Sequence, residues 1–140
     1  MAATFKFELV TPERMLIPEP GDDPKRPAVA EAEQVVVPGL DGQFTVLAGH
    51  APTISALKPG ILEIKLTTGE RRVFVRGGFA EVEPDRLTIL AQHLIDLDAG
   101  DMDRIKVELE AASAELAASK DDAGRYLAQA TIDELSRLAS

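Results

Sequence analysis

Residues 38–59 read PGLDGQFTVLAGHAPTISALKP, a stretch in which turn signals alternate with short apolar runs. Pro-Gly and Asp-Gly pairs precede the run at residues 44–47, and Gly-His-Ala-Pro and Leu-Lys-Pro-Gly follow it. Gly and Pro in such pairs mark tight turns, and short apolar runs between turns are typical of strands. The stretch holds one histidine and no nucleophile beside a base. It therefore predicts a surface of loops and strands that docks a partner, and no catalytic site.

Short strands are predicted on both sides of this stretch, from the N-terminus to about Asp98. Residues 5–9 and 62–66 alternate apolar with polar side chains, which is typical of half-buried strands. A turn at residues 68–70 and another at residues 84–85 each join two strand-like runs into a hairpin. The remaining predicted strands are residues 35–37, 44–47, 73–75, 79–83 and 87–91. Strands this short and this regularly separated predict an antiparallel sandwich or barrel.

Two segments interrupt the strand pattern. Residues 18–27 contain four prolines, which lack the N–H that a strand ladder needs, so we expect an exposed loop between two strands. Gly77 and Gly78 stand between two strand-like runs and predict a bulge or a sharp bend.

After Asp98 the sequence changes to a helical pattern, in which Pro is absent and Ala and Glu dominate. Mostly apolar side chains recur every three or four residues in two stripes: Met102, Ile105, Leu109, Ala112 and Leu116, then Leu127, Thr131, Leu135 and Leu138. A polar break at residues 119–124 separates the stripes and predicts an antiparallel two-helix hairpin. We expect two domains, a β-sandwich over residues 1–97 and the helical hairpin over residues 98–140. The many alanines bury little area each, which predicts a loosely held hairpin.

Composition disfavours several classes of protein. The chain has 140 residues, a formal net charge of −9 and no cysteine. An acidic chain repels nucleic acid and anionic lipid headgroups, and without cysteine there is no disulfide or thiol chemistry. The N-terminus shows no secretory signal, and no stretch approaches the roughly 20 apolar residues that span a bilayer. We therefore expect any association with a membrane to run through another protein.

Candidate catalytic and metal-binding residues are few. The two histidines, His50 and His93, fall short of the three or four ligands that zinc needs. No acid or nucleophile accompanies His50 in a recognisable motif, so this residue is interpreted as a partner contact or a local structural residue. No metal or cofactor is expected. Arg71, Arg72 and Arg76 form either a solvated face or a contact for an acidic partner.

Four ordered motifs carry a resemblance to a known family. They are FELVTPER at residues 7–14, the stretch at residues 38–59, FVRGGFAEV at residues 74–82 and TILA at residues 88–91. In this order and spacing they resemble the epsilon subunit of bacterial F-type ATP synthases, called delta in mitochondria. The resemblance covers nearly the whole chain.

The resemblance implies a ten-stranded β-sandwich followed by a two-helix domain, and a non-catalytic role. The family's subunit lies in the central stalk of the rotor, where it binds the gamma subunit and the polar loops of the c-ring and couples them for proton-driven ATP synthesis. The expected location is the cytoplasmic face of the bacterial inner membrane, with peripheral attachment through the complex. The c-ring-facing loop is then Asp41, Gly42, Gln43 and Phe44, and the gamma-facing residues are Gly49, His50 and Ala51. Gln43 stands where several relatives carry an acid, and its neutral amide can still form hydrogen bonds.

The same resemblance implies an alternative function, regulation by the C-terminal helices. In some relatives these helices bind ATP, or extend along gamma and inhibit hydrolysis through contacts with the beta and alpha subunits. Asp101 and Arg104 preserve the Asp-x-x-Arg of the ATP motif, whereas Gly100 and Ile105 depart from its flanking residues. The other interpretation of this segment is an ordinary acidic helix start. From Asp98 onward there are ten acids and five bases, which repel an acidic partner, so we expect weak inhibition or none.

Overall fold

A computed structural model describes residues 3–13, 15–17, 30–99 and 102–139. The described residues form eight strands: β1 (Phe5–Val10), β2 (Met15–Ile17), β3 (Ala30–Gly39), β4 (Gly42–Val46), β5 (Thr53–Ala56), β6 (Gly60–Leu66), β7 (Gly69–Glu83) and β8 (Arg86–Asp96). A 3-10 turn at Leu97–Ala99 leads into the helices α1 (Met102–Ala118) and α2 (Asp122–Ala139). The proline-rich loop predicted at residues 18–27 lies outside the described residues.

The strands form a β-sandwich in which five of them close a circuit. The order along the sheet is β2-β1-β8-β7-β6-β3-β4, and β5 pairs with β7. β1 pairs with β3 as well as with β8, so β1, β8, β7, β6 and β3 form a closed path of hydrogen-bonded neighbours. β1 and β8 run parallel, whereas the other pairs are antiparallel. The predicted sandwich is confirmed, with one parallel pair that the sequence pattern did not indicate.

Alternation along the strands places one set of apolar side chains inside the sandwich. In β1 the side chains of Phe5, Phe7 and Leu9 are buried, whereas Lys6, between Phe5 and Phe7, is exposed. The other strands contribute mainly branched aliphatic residues, among them Val35, Val37, Leu62, Ile64, Val73, Val75, Leu87 and Ile89. Full burial of such a side chain contributes about 1.5–3 kcal/mol relative to exposure. The sandwich is therefore stabilised mainly by aliphatic packing, in agreement with an aromatic content of only 4%.

Gly77 and Gly78 form a corner in the middle of β7. Before the corner Val73 and Val75 point inward, and after it Ala80 does, so the buried face changes from odd to even positions. Both glycines have positive φ, 73° and 109°, which other residues rarely adopt. β7 pairs with β6 before the corner and with β5 after it. A strand that bends in this way passes from one layer of a sandwich to the other.

The corner also explains why the described residues form eight strands where the resemblance implied ten. β7 and β8 stay paired in one continuous register from Val73↔Asp96 to Glu83↔Arg86. The bend predicted at the two glycines is therefore present, and no bulge interrupts the pairing of β7 with β8. If β7 and β8 are each divided at the corner, the eight strands become ten.

Strands β2, β3 and β5 are among those that differ from the sequence-based prediction. β2 and β5 are absent from the predicted set, because each is too short to show alternation. β3 was expected to end before Pro38, yet it continues to Gly39. The pair Gly39↔Gly42 closes the β3–β4 hairpin, so the backbone of Pro38 points away from β4 and its missing N–H costs no ladder bond. Its carbonyl accepts the N–H of Lys58 at 3.0 Å.

The two helices form the predicted hairpin, with Ala112, Ala128 and Thr131 buried. α2 begins at Asp122, earlier than the polar break at residues 119–124 suggested. The reason is a cap: the carboxylate of Asp121 accepts the N–H of Gly124 at 2.6 Å, which satisfies a free amide of the first turn.

A second, smaller apolar cluster packs the hairpin against the outer face of the sandwich. Its buried members are Phe74 of β7, Ile95 of β8, Ile105 of α1 and Leu135 of α2. Leu97, Leu109 and Leu138 pack around them. The cluster lies where α1 begins and α2 ends, so this end of the hairpin is the one that apolar packing holds.

Candidate partner-binding surface

The β3–β4 hairpin carries the predicted c-ring-facing residues Asp41, Gly42, Gln43 and Phe44. Leu40 and Asp41 form its two-residue turn. Asp41 and Gln43 are exposed, and Phe44 is half-buried. The hairpin therefore presents a polar tip with one partly exposed aromatic ring beside it.

β4 is an edge strand among the described residues, since it pairs there with β3 alone. The register that closes the hairpin at Gly39↔Gly42 directs the backbone N–H and C=O groups of Gln43 and Thr45 away from β3. The strand carries no charged residue. No other described residue pairs with this outer edge, which can therefore hydrogen-bond with an extended segment of another chain.

The predicted gamma-facing residues Gly49, His50 and Ala51 lie in the loop between β4 and β5. The N–H of Gly49 donates to the carbonyl of Pro84 at 2.8 Å, which ties the loop to the β7–β8 turn. The N–H of His50 donates to the carbonyl of Leu47 at 3.2 Å. The Nδ1–H of the His50 ring donates to the carbonyl of Ala51 at 2.8 Å. These bonds fix both the loop and the orientation of the imidazole.

The two predicted groups of site residues adjoin each other. The rings of Phe44 and His50 lie with their centroids 6.2 Å apart and their planes tilted by 39°. The N–H of Leu40 also donates to the carbonyl of Ala56 at 2.8 Å, which holds the hairpin against the end of β5. A partner that covers one group therefore reaches the edge of the other.

An apolar row crosses the outer face of four strands next to the His50 loop. Val10 is paired with Leu90, Leu90 with Phe79, and Phe79 with Ala56, so the four side chains stand side by side on one face. Ile54 lies on the same face, two residues before Ala56. Ile54 is 75% exposed and Phe79 is 43% exposed. We call these five residues the apolar row; it extends from the β5 edge across to β1.

Sequence reasoning missed the apolar row for two physical reasons. Its members come from four strands, and only the register brings them together. The corner at Gly77 and Gly78 also changes which positions of β7 face outward, so simple alternation from Val73 would place Phe79 inside. The sequence did hold one indication of this surface: Ile54 is a large apolar side chain between the polar residues Thr53 and Ser55.

The basic cluster of β7 binds acids of its own chain. Arg71 pairs with Asp96 at 2.7 Å. Arg76 pairs with Glu108 at 3.7 Å and with Glu115, both on α1. The sequence left open whether these arginines contact an acidic partner. In the structure, Arg71 and Arg76 pair with acidic residues of the same chain.

The segment of the predicted nucleotide contact lies at the start of α1. Asp101 is outside the described residues. The guanidinium of Arg104 donates to the carbonyl of Leu94 at 3.2 Å. Arg104 borders a cavity of about 260 Å³ together with His93 and Glu108. A nucleotide contact at Asp101 and Arg104 stays a prediction.

Among the residues that the structure describes, no group of three or more His, Cys, Asp or Glu side chains is placed so that it could hold a metal ion. Neither described helix is long and apolar enough to cross a membrane.

Comparison with known proteins identifies the family. Residues 24–96 match the family model of the ATP synthase delta/epsilon chain, β-sandwich domain. The ATP synthase epsilon chain of Mesorhizobium japonicum is 38% identical over 142 aligned positions, which cover 99% of this chain and 95% of the relative. The chain belongs to the ATP synthase delta/epsilon family. The epsilon chain of Parvibaculum lavamentivorans is 41% identical over 99% of this chain and 97% of its own length. These relatives confirm the prediction of an epsilon subunit and of a non-catalytic chain.

Solved structures agree with the family's fold. A chain of the Euglena gracilis mitochondrial ATP synthase, solved as OSCP/F1/c-ring, superposes with a TM-score of 0.69 at 24% identity, covering 99% of this chain and 82% of that one. A chain of the Tetrahymena thermophila mitochondrial ATP synthase central stalk and c-ring gives a TM-score of 0.60 at 17% identity, covering 97% and 96%. At these identities the likeness establishes the architecture, a β-sandwich followed by two helices.

Proposed function

We propose that this chain is a rotor subunit of the central stalk of an F-type ATP synthase, which joins the gamma subunit to the c-ring and has no catalytic site of its own. Family membership supports the assignment to the complex. The apolar row beside the His50 loop is the observation that supports a docking role.

The apolar row fits a protein partner because isolated exposed apolar residues are common, whereas a contiguous row of them on the outer face of a sheet is characteristic of an interface. Aromatic and aliphatic anchors at the centre of an interface, with polar groups at its rim, are the usual arrangement. Here Phe79 and Ile54 would be the anchors, and Glu81 and Thr88 lie among the neighbouring outward positions. We assign this face, together with Gly49, His50 and Ala51, to the gamma subunit.

The β3–β4 hairpin is assigned to the polar loops of the c-ring. Its tip is polar and exposed, and the free edge of β4 offers backbone hydrogen bonds in addition to the amide of Gln43. Because Phe44 contacts His50, the two partners would meet at this point of the surface. The chain would then be held at the cytoplasmic face of the bacterial inner membrane through the complex.

The test is binding of the full chain to purified gamma subunit on a sizing column. We expect Ile54→Asp and His50→Glu each to weaken the complex by about tenfold or more, since a charge buried at an interface centre costs several kcal/mol. Val107→Asp is the matched control, because Val107 is a 60% exposed apolar residue on α1, away from the assigned face. Val107→Asp should bind as the unmodified chain does.

Two results would contradict parts of this proposal in different ways. If gamma binds none of the proteins, the unmodified chain included, the rotor assignment loses its mechanism. If gamma binds all four equally, the rotor assignment stands and the assigned face is wrong.

A further inference from the structure

Arg76 of the sandwich forms ion pairs with two glutamates that lie well apart along α1. It is the last residue of β7 before the corner, and its side chain is only 14% exposed. Its Nη1 lies 3.7 Å from a carboxylate oxygen of Glu108, whose side chain is 16% exposed. Its Nη2 donates to a carboxylate oxygen of Glu115. Glu108 and Glu115 are two helical turns apart, about 10 Å along the axis of α1, and both side chains converge on the one guanidinium.

The apolar packing of the hairpin is concentrated at the opposite end of α1. Ile105 and Leu135 pack on Phe74 and Ile95 there. Glu115 lies ten residues after Ile105, which corresponds to about 15 Å along a helix. The hairpin tip, defined here as residues 115–128, is therefore remote from the cluster that anchors the hairpin base.

A cavity separates the hairpin tip from the sandwich. It measures about 340 Å³, and its lining includes Arg76 and Gln92 on the sandwich side and Glu115, Leu127 and Ala128 on the tip. Over this space the two surfaces do not pack directly against each other. Within the tip only Ala128 is buried, and its side chain is a single methyl group, whereas the contact of Arg76 with Glu115 lies across the cavity.

We propose that Arg76, Glu108 and Glu115 form a latch that holds the hairpin tip against the sandwich, and that breaking the latch frees the tip while the sandwich stays folded. Glu108 and Arg76 are both largely buried, so removing Arg76 leaves the Glu108 carboxylate unpaired at low exposure, which is strongly unfavourable for the docked state. The side chain of Glu115 is 51% exposed, so its contact with Arg76 contributes less and is the part of the latch that opens most readily. The sandwich has its own core, so undocking of the tip does not require the strands to separate. Undocked short helices are marginal in water, so a released tip also frays.

The test is amide hydrogen exchange of the isolated full chain, which needs no partner and so does not depend on the proposed rotor role. In Arg76→Gln we expect peptides from the hairpin tip to exchange faster by about tenfold or more, because docking protects marginal helices. Peptides from strands β6 and β7 should exchange as in the unmodified chain. Arg72→Gln is the matched control, since Arg72 lies on the same face of β7, its side chain is exposed, and no ion pair is found for it among the described residues.

The same substitution in an altered background tests whether Arg76 acts through the two glutamates. In Glu108→Gln/Glu115→Gln, the tip should already exchange fast, and adding Arg76→Gln should change nothing further. Three results would overturn the latch: an unchanged tip in Arg76→Gln, an equal acceleration in Arg72→Gln, or a further acceleration by Arg76→Gln in the double-glutamine background. Equal acceleration of the sandwich peptides would also overturn it, since Arg76 would then support the whole fold.

Discussion

Replacement of Gly78 by alanine should destabilise the protein far more than its size suggests. A Cβ at this position would lie 1.8 Å from the carbonyl oxygen of Leu90 and 2.9 Å from the carbon of the same carbonyl. Both are backbone atoms of β8, so no side-chain rotation can relieve the contact. The carbonyl of Gly78 also accepts the N–H of Leu57 at 3.0 Å, which any shift of β7 would stretch.

The expected loss of stability has two parts. Gly78 has φ of 109°, and holding a residue with a Cβ in such a region costs about 1–3 kcal/mol. Overpacking against a rigid neighbour costs about 1–3 kcal/mol more. We therefore expect a loss of about 2–6 kcal/mol, a large share of the roughly 5–15 kcal/mol that stabilises a typical domain.

Urea unfolding followed by circular dichroism measures this loss. With a slope of about 2 kcal/mol per molar urea, a loss of 4 kcal/mol lowers the midpoint by about 2 M. Gly69→Ala measures the cost of the backbone conformation without the cost of overpacking. Gly69 also has a positive φ, 144°, but a Cβ there meets nothing within 4 Å. Gly77→Ala should fall between them, since its Cβ would meet the movable side chain of Gln92 at 2.5 Å. If Gly78→Ala and Gly69→Ala differ by less than about 1 kcal/mol, the corner is not the tightly packed crossing inferred here.

Three further outcomes are expected. A Gln43→Cys variant, which carries the only cysteine of the chain, should cross-link to the c-ring in the assembled enzyme. Thr67→Cys should not, because Thr67 lies in an exposed turn beside Glu31, at the end of β3 opposite to the hairpin. Cross-linking at both positions or at neither contradicts the assignment of the hairpin. A fragment of residues 1–97 should fold alone with the strand spectrum of the full chain, because its core is formed by strand and loop residues of that range; a disordered amide spectrum would show that the hairpin is needed. Deleting residues 101–140 should change ATP hydrolysis by the assembled enzyme by less than about twofold, because an acidic hairpin is a poor ligand for an acidic partner; strong activation would refute this.

Local patterns in the sequence predicted the strands in which apolar and polar residues alternate, and the helices in which apolar residues recur every three or four positions. Residues 5–9 and 62–66 show period-two alternation over enough residues to be recognised, and the stripe ending at Leu138 has the helical period. β5 could not be predicted in the same way. It has four residues, and its side chain at Ile54 is apolar and exposed, so it shows neither alternation nor a buried run.

The site was predicted only where motifs carried it. His50 and Gln43 were named from the resemblance, and the structure adds that their loop and hairpin adjoin through Phe44. The apolar row and the latch depend on contacts between residues far apart in the chain, such as Val10 with Leu90 and Arg76 with Glu115. Such contacts follow from register and helix docking, which composition and periodicity do not specify.

The closed path of β1, β8, β7, β6 and β3 has a mechanical consequence. Each of these strands has a hydrogen-bonded neighbour on both sides, so a sideways pull on one of them must break two ladders before it can peel away. A force applied at the His50 loop or at the β3–β4 hairpin is therefore shared around the ring of strands. For a chain proposed to turn with a rotor, torque would pass through a stiff body, and elastic yielding would be confined to the helical hairpin outside the ring.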